Sequence, residues 1–231
     1  MFEIDRRRDR LTVRRPGTRW LSNGFDGGYL SADAAHNLTV PEGFDRTDLT
    51  AYVDERLRGE HCRGPTLLTG VEQRHARGAR LQSVEVVATA GLSNPATLPM
   101  EPDGTEGRTG AWRPGTVNLF VGTTRTLDGG GLAGLLATAV EAKTATLSAV
   151  AGVSGTTSDA IVVGCDPTGE PTSFAGSATA VGAAARACVR EAVRASLRSR
   201  YESGPPTPET AEYGVVTTER ASVFDPSDSN P

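Results

Sequence analysis

The apolar positions of the chain follow two spacings, one typical of strands and the other of helices. Short apolar runs predict strands at 11–15, 19–21, 66–71, 83–90, 115–122, within 156–165 and at 172–175, with a turn at residues 16–17. Spacings of three and four predict helices at 47–57, 129–152 and 178–201. The two signals alternate only in the second half of the chain. We therefore expect an α/β fold, a single domain with a mixed β-sheet and packed helices.

The ends of the chain and one internal segment differ from this core in composition. Residues 1–17 predict an N-terminal strand or extension, and residues 18–202 form the predicted domain. Residues 203–231 are rich in Pro, Thr and acidic residues, which predicts a flexible C-terminal tail, although 214–224 could add an edge strand. Residues 97–115 have the composition of a loop, either an active-site lid or a tolerated insertion.

The helix predicted at 129–152 has a lysine in its apolar face. At about 100° per residue, Lys143 points the same way as Leu132 and Leu136, while the opposite face consists of small residues. The helix is therefore expected to pack on both sides. Lys143 is the only lysine in the chain, since every other basic residue is arginine. A slender amine fits where a planar guanidinium does not, so we consider Lys143 a functional candidate, with a snorkelling or structurally paired lysine as the alternative.

Charge and cysteine content exclude several classes of function. A net charge of −4 and a pI near 5.5 give no overall field that favours nucleic acid. Arginines recur every four residues along 186–198, which predicts a solvated helix face rather than a binding surface for an anionic partner. Cys62, Cys165 and Cys188 are far apart, which predicts reduced thiols in a cytoplasmic protein, the last two in the core. No apolar run predicts an export signal or a membrane span.

Several well-known catalytic motifs are missing from the sequence. The three histidines lack zinc-ligand spacing, so we expect no metal, and the glycine run at 129–131 is not followed by the Lys of a phosphate-binding loop. His61 and Cys62 are neighbours, which alone does not predict a catalytic pair. What remains is a set of polar residues at the ends of apolar strands, which we expect to cluster at one edge of the sheet. They include Ser22, Asn23, Ser93, Asn94, Asn118, Thr156, Thr157, Ser158 and Asp159.

At these residues the chain resembles the adenosylcobinamide amidohydrolase family, the amidases of corrinoid salvage. The likeness runs in order from about residue 18 to 201, and residues 97–113 and the tail lie outside it. The matching pieces are the segments 21–28, 40–45, 67–71, 88–95, 114–118, 141–145, 155–160 and 174–179.

The resemblance implies hydrolysis of the amide that joins a corrin propionate to aminopropanol. The products would be adenosylcobyric acid and 1-amino-2-propanol, and the corrinoid would be the substrate rather than a cofactor. We expect a small-molecule corrinoid partner, no nucleic acid and no membrane, and a homo-oligomer is compatible with the sequence. Asn, Ser and Thr can donate to and accept from the many amides of a corrinoid. Candidate substrate-binding residues are Ser22, Asn23, Gly27, Gly28, Ser93, Asn94 and Asn118.

The catalytic roles follow from what amide hydrolysis requires. Lys143 would stabilise the tetrahedral oxyanion or act as a general base. Asp159 or Glu141 would orient it or activate water, and the hydroxyl of Thr156 or Thr157 could be the nucleophile. Glu141 lies about 200° around the helix from Lys143, so Asp159 is the predicted partner of the lysine. Attack by water and an acyl-enzyme both remain open.

Two other classes of function remain open as alternatives. One is a corrinoid- or nucleotide-binding module without hydrolysis, in which Glu141 and Lys143 serve structure only. The other is an amide-bond enzyme of a different kind, such as an amidotransferase-like step on another substrate.

Overall fold

The structure, a computed structural model, describes residues 1–58, 64–102, 115–211 and 213–226. Its helices are α1 (Leu49–Arg56), α2 (Gly129–Ala151) and α3 (Ala180–Arg200), with a 3-10 turn at Gln73–His75. Its strands are β1 (Glu3–Arg6), β2 (Arg10–Ser22), β3 (Gly28–Thr39), β4 (Thr66–Thr69), β5 (Arg77–Leu81), β6 (Val84–Ala90), β7 (Pro95–Thr97), β8 (Val117–Thr123), β9 (Gly155–Thr156), β10 (Ala160–Cys165) and β11 (Val215–Val216).

The strands form one large and one small sheet. The large sheet has the order β4-β3-β2-β10-β8-β6-β5, and β1 pairs with β2 beside it. Only β10 with β8 and β3 with β4 run parallel, while the other neighbours in this sheet are antiparallel. The small sheet has the order β11-β7-β9. The prediction of a single α/β domain with a mixed sheet and packed helices is thereby confirmed.

The large sheet buries apolar side chains on both of its faces. One face packs against α2 and α3, with Val86, Leu119 and Val163 among the residues that are fully buried there. The other face has a second apolar cluster that includes Leu11, Trp20, Leu67 and Phe120. The sheet curls around this second cluster, because Asn118 of β8 donates to Asn37 of β3 at 2.9 Å although two strands lie between them. A flat sheet would place those strands about 14 Å apart.

Helix α2 begins and ends where the sequence predicts. The carboxylate of Asp128 accepts from the amide of Gly131 at 2.7 Å, which satisfies one of the free N–H groups of the first turn. Gly152 ends the helix at φ 69°, a conformation that favours glycine. Packing on both sides is wrong for the last two turns, where Ala145, Ser148 and Val150 are exposed. Ala145 and Val150 line an open groove between α2 and α3.

The first third of the chain differs most from its prediction. Residues 28–39, whose composition does not predict a strand, form the long β3. The predicted turn at residues 16–17 is instead a bulge within the continuous β2, between Arg14 and Thr18. Strands β1 and β5 lie in charged stretches that gave no apolar signal. The strand predicted at 172–175 is absent, and only a single bridge from Thr126 to Pro171 forms nearby.

The C-terminal segment packs against the domain as far as residue 217. The edge strand expected within 214–224 is present as β11, which runs parallel to β7. Ala211 is buried, and the amide of Thr217 donates to the carbonyl of Thr97 at 3.1 Å. Most of the predicted loop at 97–115, together with His61 and Cys62, lies outside the described residues. Within the described ranges, no helix combines the length and the hydropathy that a membrane crossing requires.

Candidate active site

The buried lysine of α2 pairs with the aspartate that precedes β10. Lys143 donates from Nζ to Oδ2 of Asp159, and the two side chains are 8% and 10% exposed. The predicted partnership is thus confirmed. Glu141 instead makes a 3.3 Å ion pair with Arg186 at the surface. The two residues of α2 therefore serve different neighbours, and Glu141 does not join the buried cluster.

Four donors hold the carboxylate of Asp159. Its Oδ1 accepts from the amide of Val117 at 2.9 Å and from the hydroxyl of Thr156 at 2.5 Å. Its Oδ2 accepts from the amide of Thr156 at 3.0 Å and from Lys143. Each oxygen thus receives two hydrogen bonds. The result is a Thr156–Asp159–Lys143 chain of polar groups, which we call the catalytic cluster after the role that we propose for it below.

The short strand β9 supplies both the hydroxyl and the space for this cluster. β9 is antiparallel to β7, with Thr156 opposite Pro95 and Gly155 opposite Ala96. A Cβ on Gly155 would lie 2.7 Å from Oδ2 of Asp159 and 3.2 Å from Nζ of Lys143. No side chain other than hydrogen fits there without moving the ion pair. The close packing of Gly155 against the ion pair explains why a glycine occupies this position of the 155–160 segment.

Gly155→Ala should therefore displace the ion pair. We expect kcat/KM on an amide substrate to fall by roughly ten- to a hundredfold, because shifts of about 1 Å in catalytic groups have effects of this size. Gly134→Ala is the matched control, since a Cβ at that position of α2 meets nothing within 4 Å. Steady-state kinetics and thermal unfolding of both variants test the expectation. Full activity in Gly155→Ala would show that the position of the pair does not matter.

The catalytic cluster borders a cavity of about 320 Å³, which we call the first cavity. Asp159, Ser158 and Thr116 line it on one side, and the hydroxyl of Thr116 donates to that of Thr69 at 2.8 Å. The Oγ atom of Ser158 is buried without a hydrogen-bond partner. Apolar side chains form much of the remaining wall, namely Phe25, Val40, Phe44, Leu49, Leu67 and Leu68. A mostly apolar pocket with a few converging polar groups is typical of a small-molecule site.

The predicted binding residues converge at the amino ends of the parallel pair β8 and β10, where β2 and β6 terminate. Asn23 lines the first cavity, and its side chain accepts from the amide of Ile161 at 2.7 Å. Ser22 is buried, and its hydroxyl accepts from the amide of Gly24 at 3.1 Å. The carbonyl of Asn94 accepts from the amide of Thr157 at 3.1 Å. Both polar atoms of the Asn94 side chain are buried without partners, so a donor and an acceptor remain unused.

Other predicted residues lie elsewhere. Gly27 and Gly28 shape the turn from β2 to β3 and line neither cavity of this region, and Gly28 has φ 110°. Thr157 has an exposed side chain, unlike the buried Thr156 beside it. Asn118 is fully buried below the site, where its amide donates to the carbonyl of Leu68 at 2.9 Å. Asn118 thus helps to hold the backbone of Leu68, which lines the first cavity.

Sequence reasoning missed the threonines of the first cavity. Thr69 ends β4 and Thr116 precedes β8, so each is a polar residue at a strand end, like those that were selected. The sequence shows that both threonines lie at strand ends, but it does not show the curl of the sheet that brings β4 close to β8. The two described cysteines take no part, since Cys165 and Cys188 are buried in the core, as predicted. Burial raises the pKa of both thiols, which favours the unreactive form.

A curled α/β sheet with a buried lysine–aspartate–threonine cluster beside an apolar cavity defines a protein suited to polar chemistry on a small organic group. Comparison with known proteins makes this class specific. The family model described as adenosylcobinamide amidohydrolase matches residues 2–205. A curated protein of Halobacterium salinarum, named adenosylcobinamide amidohydrolase, is 52% identical over 231 residues, which cover 98% of this chain and 100% of that protein. The chain belongs to the adenosylcobinamide amidohydrolase family and is an enzyme that acts on an amide.

Proposed function

We propose that the protein hydrolyses the amide between a propionate of adenosylcobinamide and its aminopropanol. The products are adenosylcobyric acid and 1-amino-2-propanol, so the corrinoid acid becomes available again for cobalamin assembly. The name shared by the family model and the relative supports this substrate. The free thiols of Cys165 and Cys188 support a reducing compartment, and we infer that the reaction takes place in the cytoplasm. The proposal uses the chain's own side chains and treats the corrinoid as substrate.

The observation that carries the mechanism is the hydrogen-bond pattern around Asp159. Each of its oxygens already accepts two hydrogen bonds. No in-plane lone pair is left to accept a proton from an attacking water. The hydroxyl of Thr156 donates its proton to this carboxylate, and its own lone pairs remain available. A hydroxyl aligned with a base in this way is the arrangement of an activated nucleophile. We therefore favour attack by Thr156 over direct attack by water.

In the first half of the reaction, Oγ1 of Thr156 forms a bond to the amide carbon while its proton passes to Oδ1 of Asp159. The ammonium of Lys143 has one hydrogen bond to Asp159, and its remaining N–H groups stabilise the negative charge that develops on the carbonyl oxygen. The C–N bond then breaks, and the proton held by Asp159 passes to the departing nitrogen. Aminopropanol leaves, and the corrin propionate is an ester of Thr156.

In the second half, a water takes the place of the departed amine. Asp159 accepts a proton from this water as the oxygen attacks the ester carbon, and the proton returns to Oγ1 of Thr156 when the C–O bond breaks. The net change is the addition of one water across the amide. Thr156, Asp159 and Lys143 return to their starting protonation states, and the corrin acid is released.

The proposal is tested by incubating the protein with adenosylcobinamide in water enriched in ¹⁸O. We expect release of 1-amino-2-propanol and one ¹⁸O atom in the corrinoid acid, both detected by mass spectrometry. An unchanged corrinoid with a shifted absorption spectrum would overturn hydrolysis and support the binding module. Release of a different amine from another amide would retain the enzyme class but replace the substrate.

A further inference from the structure

A second cavity of about 430 Å³ lies beside the first. The two cavities share Val40 and Gly70 in their walls, so they are separated only by the segments after β3 and β4. The C-terminal segment forms part of the wall of the second cavity, through Pro206, Thr210, Ala211 and Tyr213. Two of the predicted binding residues divide between the cavities, since Asn23 lines the first and Ser93 the second.

Two charged residues, Arg200 and Glu42, line the second cavity, and Arg200 is held in place by its neighbours. It is the last residue of α3, and its Nε donates to the hydroxyl of Tyr201 at 3.2 Å. Its guanidinium carbon lies 5.5 Å from the centre of the Tyr201 ring. The same hydroxyl accepts from the amide of Leu92 at 2.9 Å, which fixes the tyrosine in turn. Over the residues that the structure describes, no carboxylate forms an ion pair with Arg200.

The chemistry of Arg200 limits what the second cavity can receive. A guanidinium is a donor only, so its partner must present acceptor oxygens in a plane. Leu92 and Val40 add apolar wall beside it, and the hydroxyl of Ser93 can donate or accept. The site therefore fits a carboxamide whose carbonyl meets Arg200 and whose amide nitrogen meets a hydroxyl, joined to an apolar body.

The proposed substrate supplies such groups in number. A corrinoid is a macrocycle with several carboxamide arms, and a cavity of about 320 Å³ is at the lower limit for even a drug-sized ligand. Only the arm with the scissile amide fits the first cavity, so the ring and the other arms must bind outside it. We propose that the second cavity is a subsite in which Arg200 binds the carbonyl of a neighbouring carboxamide arm of the same substrate. This inference rests on the proposed function and extends it to substrate positioning.

The experiment measures binding and turnover separately in Arg200→Met. We expect the Kd of adenosylcobinamide, measured by absorption titration, and its KM to rise by about ten- to a hundredfold, as for a lost hydrogen bond to a charged group. The kcat should stay within about threefold, because the catalytic cluster is untouched. Inhibition by the small amide N-(2-hydroxypropyl)propanamide, which fits the first cavity alone, should be unchanged. Arg198→Met is the matched control, since Arg198 is exposed on the same helix and lines neither cavity.

Two further measurements keep the inference open to refutation. Ser93→Ala, in the wall of the same cavity, should also raise Kd, by a smaller factor, and thermal unfolding reports whether either variant is merely unstable. Unchanged corrinoid binding in a folded Arg200→Met would overturn the subsite, and competition by inorganic phosphate or acetate that depends on Arg200 would show an anion site instead. Because titration detects binding without turnover, a protein that binds the corrinoid through Arg200 but releases no aminopropanol would contradict the proposed function alone.

Discussion

Thr156→Val should reduce kcat for adenosylcobinamide by at least about a thousandfold, because the variant keeps the shape of the side chain and loses the attacking oxygen. Substrate binding should change little, since the hydroxyl already donates its proton to Asp159 and so has none to donate to the amide in the ground state. The loss of one buried hydrogen bond should lower the free energy of unfolding by only about 1 kcal/mol. Single-turnover kinetics with a thermal melt separates these effects.

Thr157→Val is the matched control for this substitution, because its side chain is exposed and the adjacent backbone is the same. It should keep wild-type kcat, and Thr156→Ser should keep a measurable part of it. Added hydroxylamine should trap the ester of Thr156 as a corrinoid hydroxamate in the wild-type protein. Substantial turnover by Thr156→Val, with no hydroxamate in the wild type, would establish direct attack by water.

Lys143→Met should be the most damaging change to both activity and stability. It leaves the carboxylate of Asp159 in a site that is 10% exposed, with hydrogen bonds but no opposite charge. Removal of one partner from a buried ion pair costs roughly 3–5 kcal/mol in the free energy of unfolding. Activity should fall by at least about a thousandfold, because the group that stabilises the oxyanion is lost together with the orientation of Asp159. Chemical denaturation and steady-state kinetics measure the two losses.

Lys143→Arg distinguishes the role of charge from that of shape. The positive charge is retained, but the planar guanidinium needs more space than the ammonium. Gly155 packs so closely that a Cβ there would lie only 3.2 Å from Nζ. We expect a folded protein with at least about a hundredfold lower kcat. Glu141→Gln, on the exposed side of the same helix, should remain within about twofold of the wild type. Full activity in Lys143→Arg would mean that any cation suffices, and a large loss in Glu141→Gln would restore the predicted catalytic role of Glu141.

Local patterns were sufficient to predict the elements that carry the catalytic cluster. The three-and-four spacing in α2 placed Lys143 in a buried face, and its angle to Glu141 pointed to Asp159 as the partner. Both deductions need only the geometry of a regular helix and a nearby strand end. They succeed because α2 has ordinary caps at both ends and a regular buried face around Lys143.

The rest of the site depends on how distant segments meet, which local patterns do not report. β3 was missed because it buries polar and small residues. His36 contacts Thr12 of the adjacent β2, and the curl of the sheet gives Asn37 a partner in Asn118. Asn118 was predicted to bind the substrate because an amide side chain suits that role, yet the curl of the sheet buries it in the protein interior. Arg200 could not be separated from the solvated arginines of α3, because only the folded C-terminal segment makes a cavity around it.

The three-stranded sheet β11-β7-β9 joins the end of the chain to the catalytic cluster. Its strands are two or three residues long, and strands this short are not stable by themselves. They should therefore open and close as one cooperative unit of local unfolding, so that whatever loosens Val215–Val216 also loosens Thr156. The last part of the chain, which lies beyond the residues matched by the family model, therefore helps to order Thr156, the proposed nucleophile. An affinity tag or fusion attached after β11 therefore alters a segment that lies only two strands from Thr156 in this sheet.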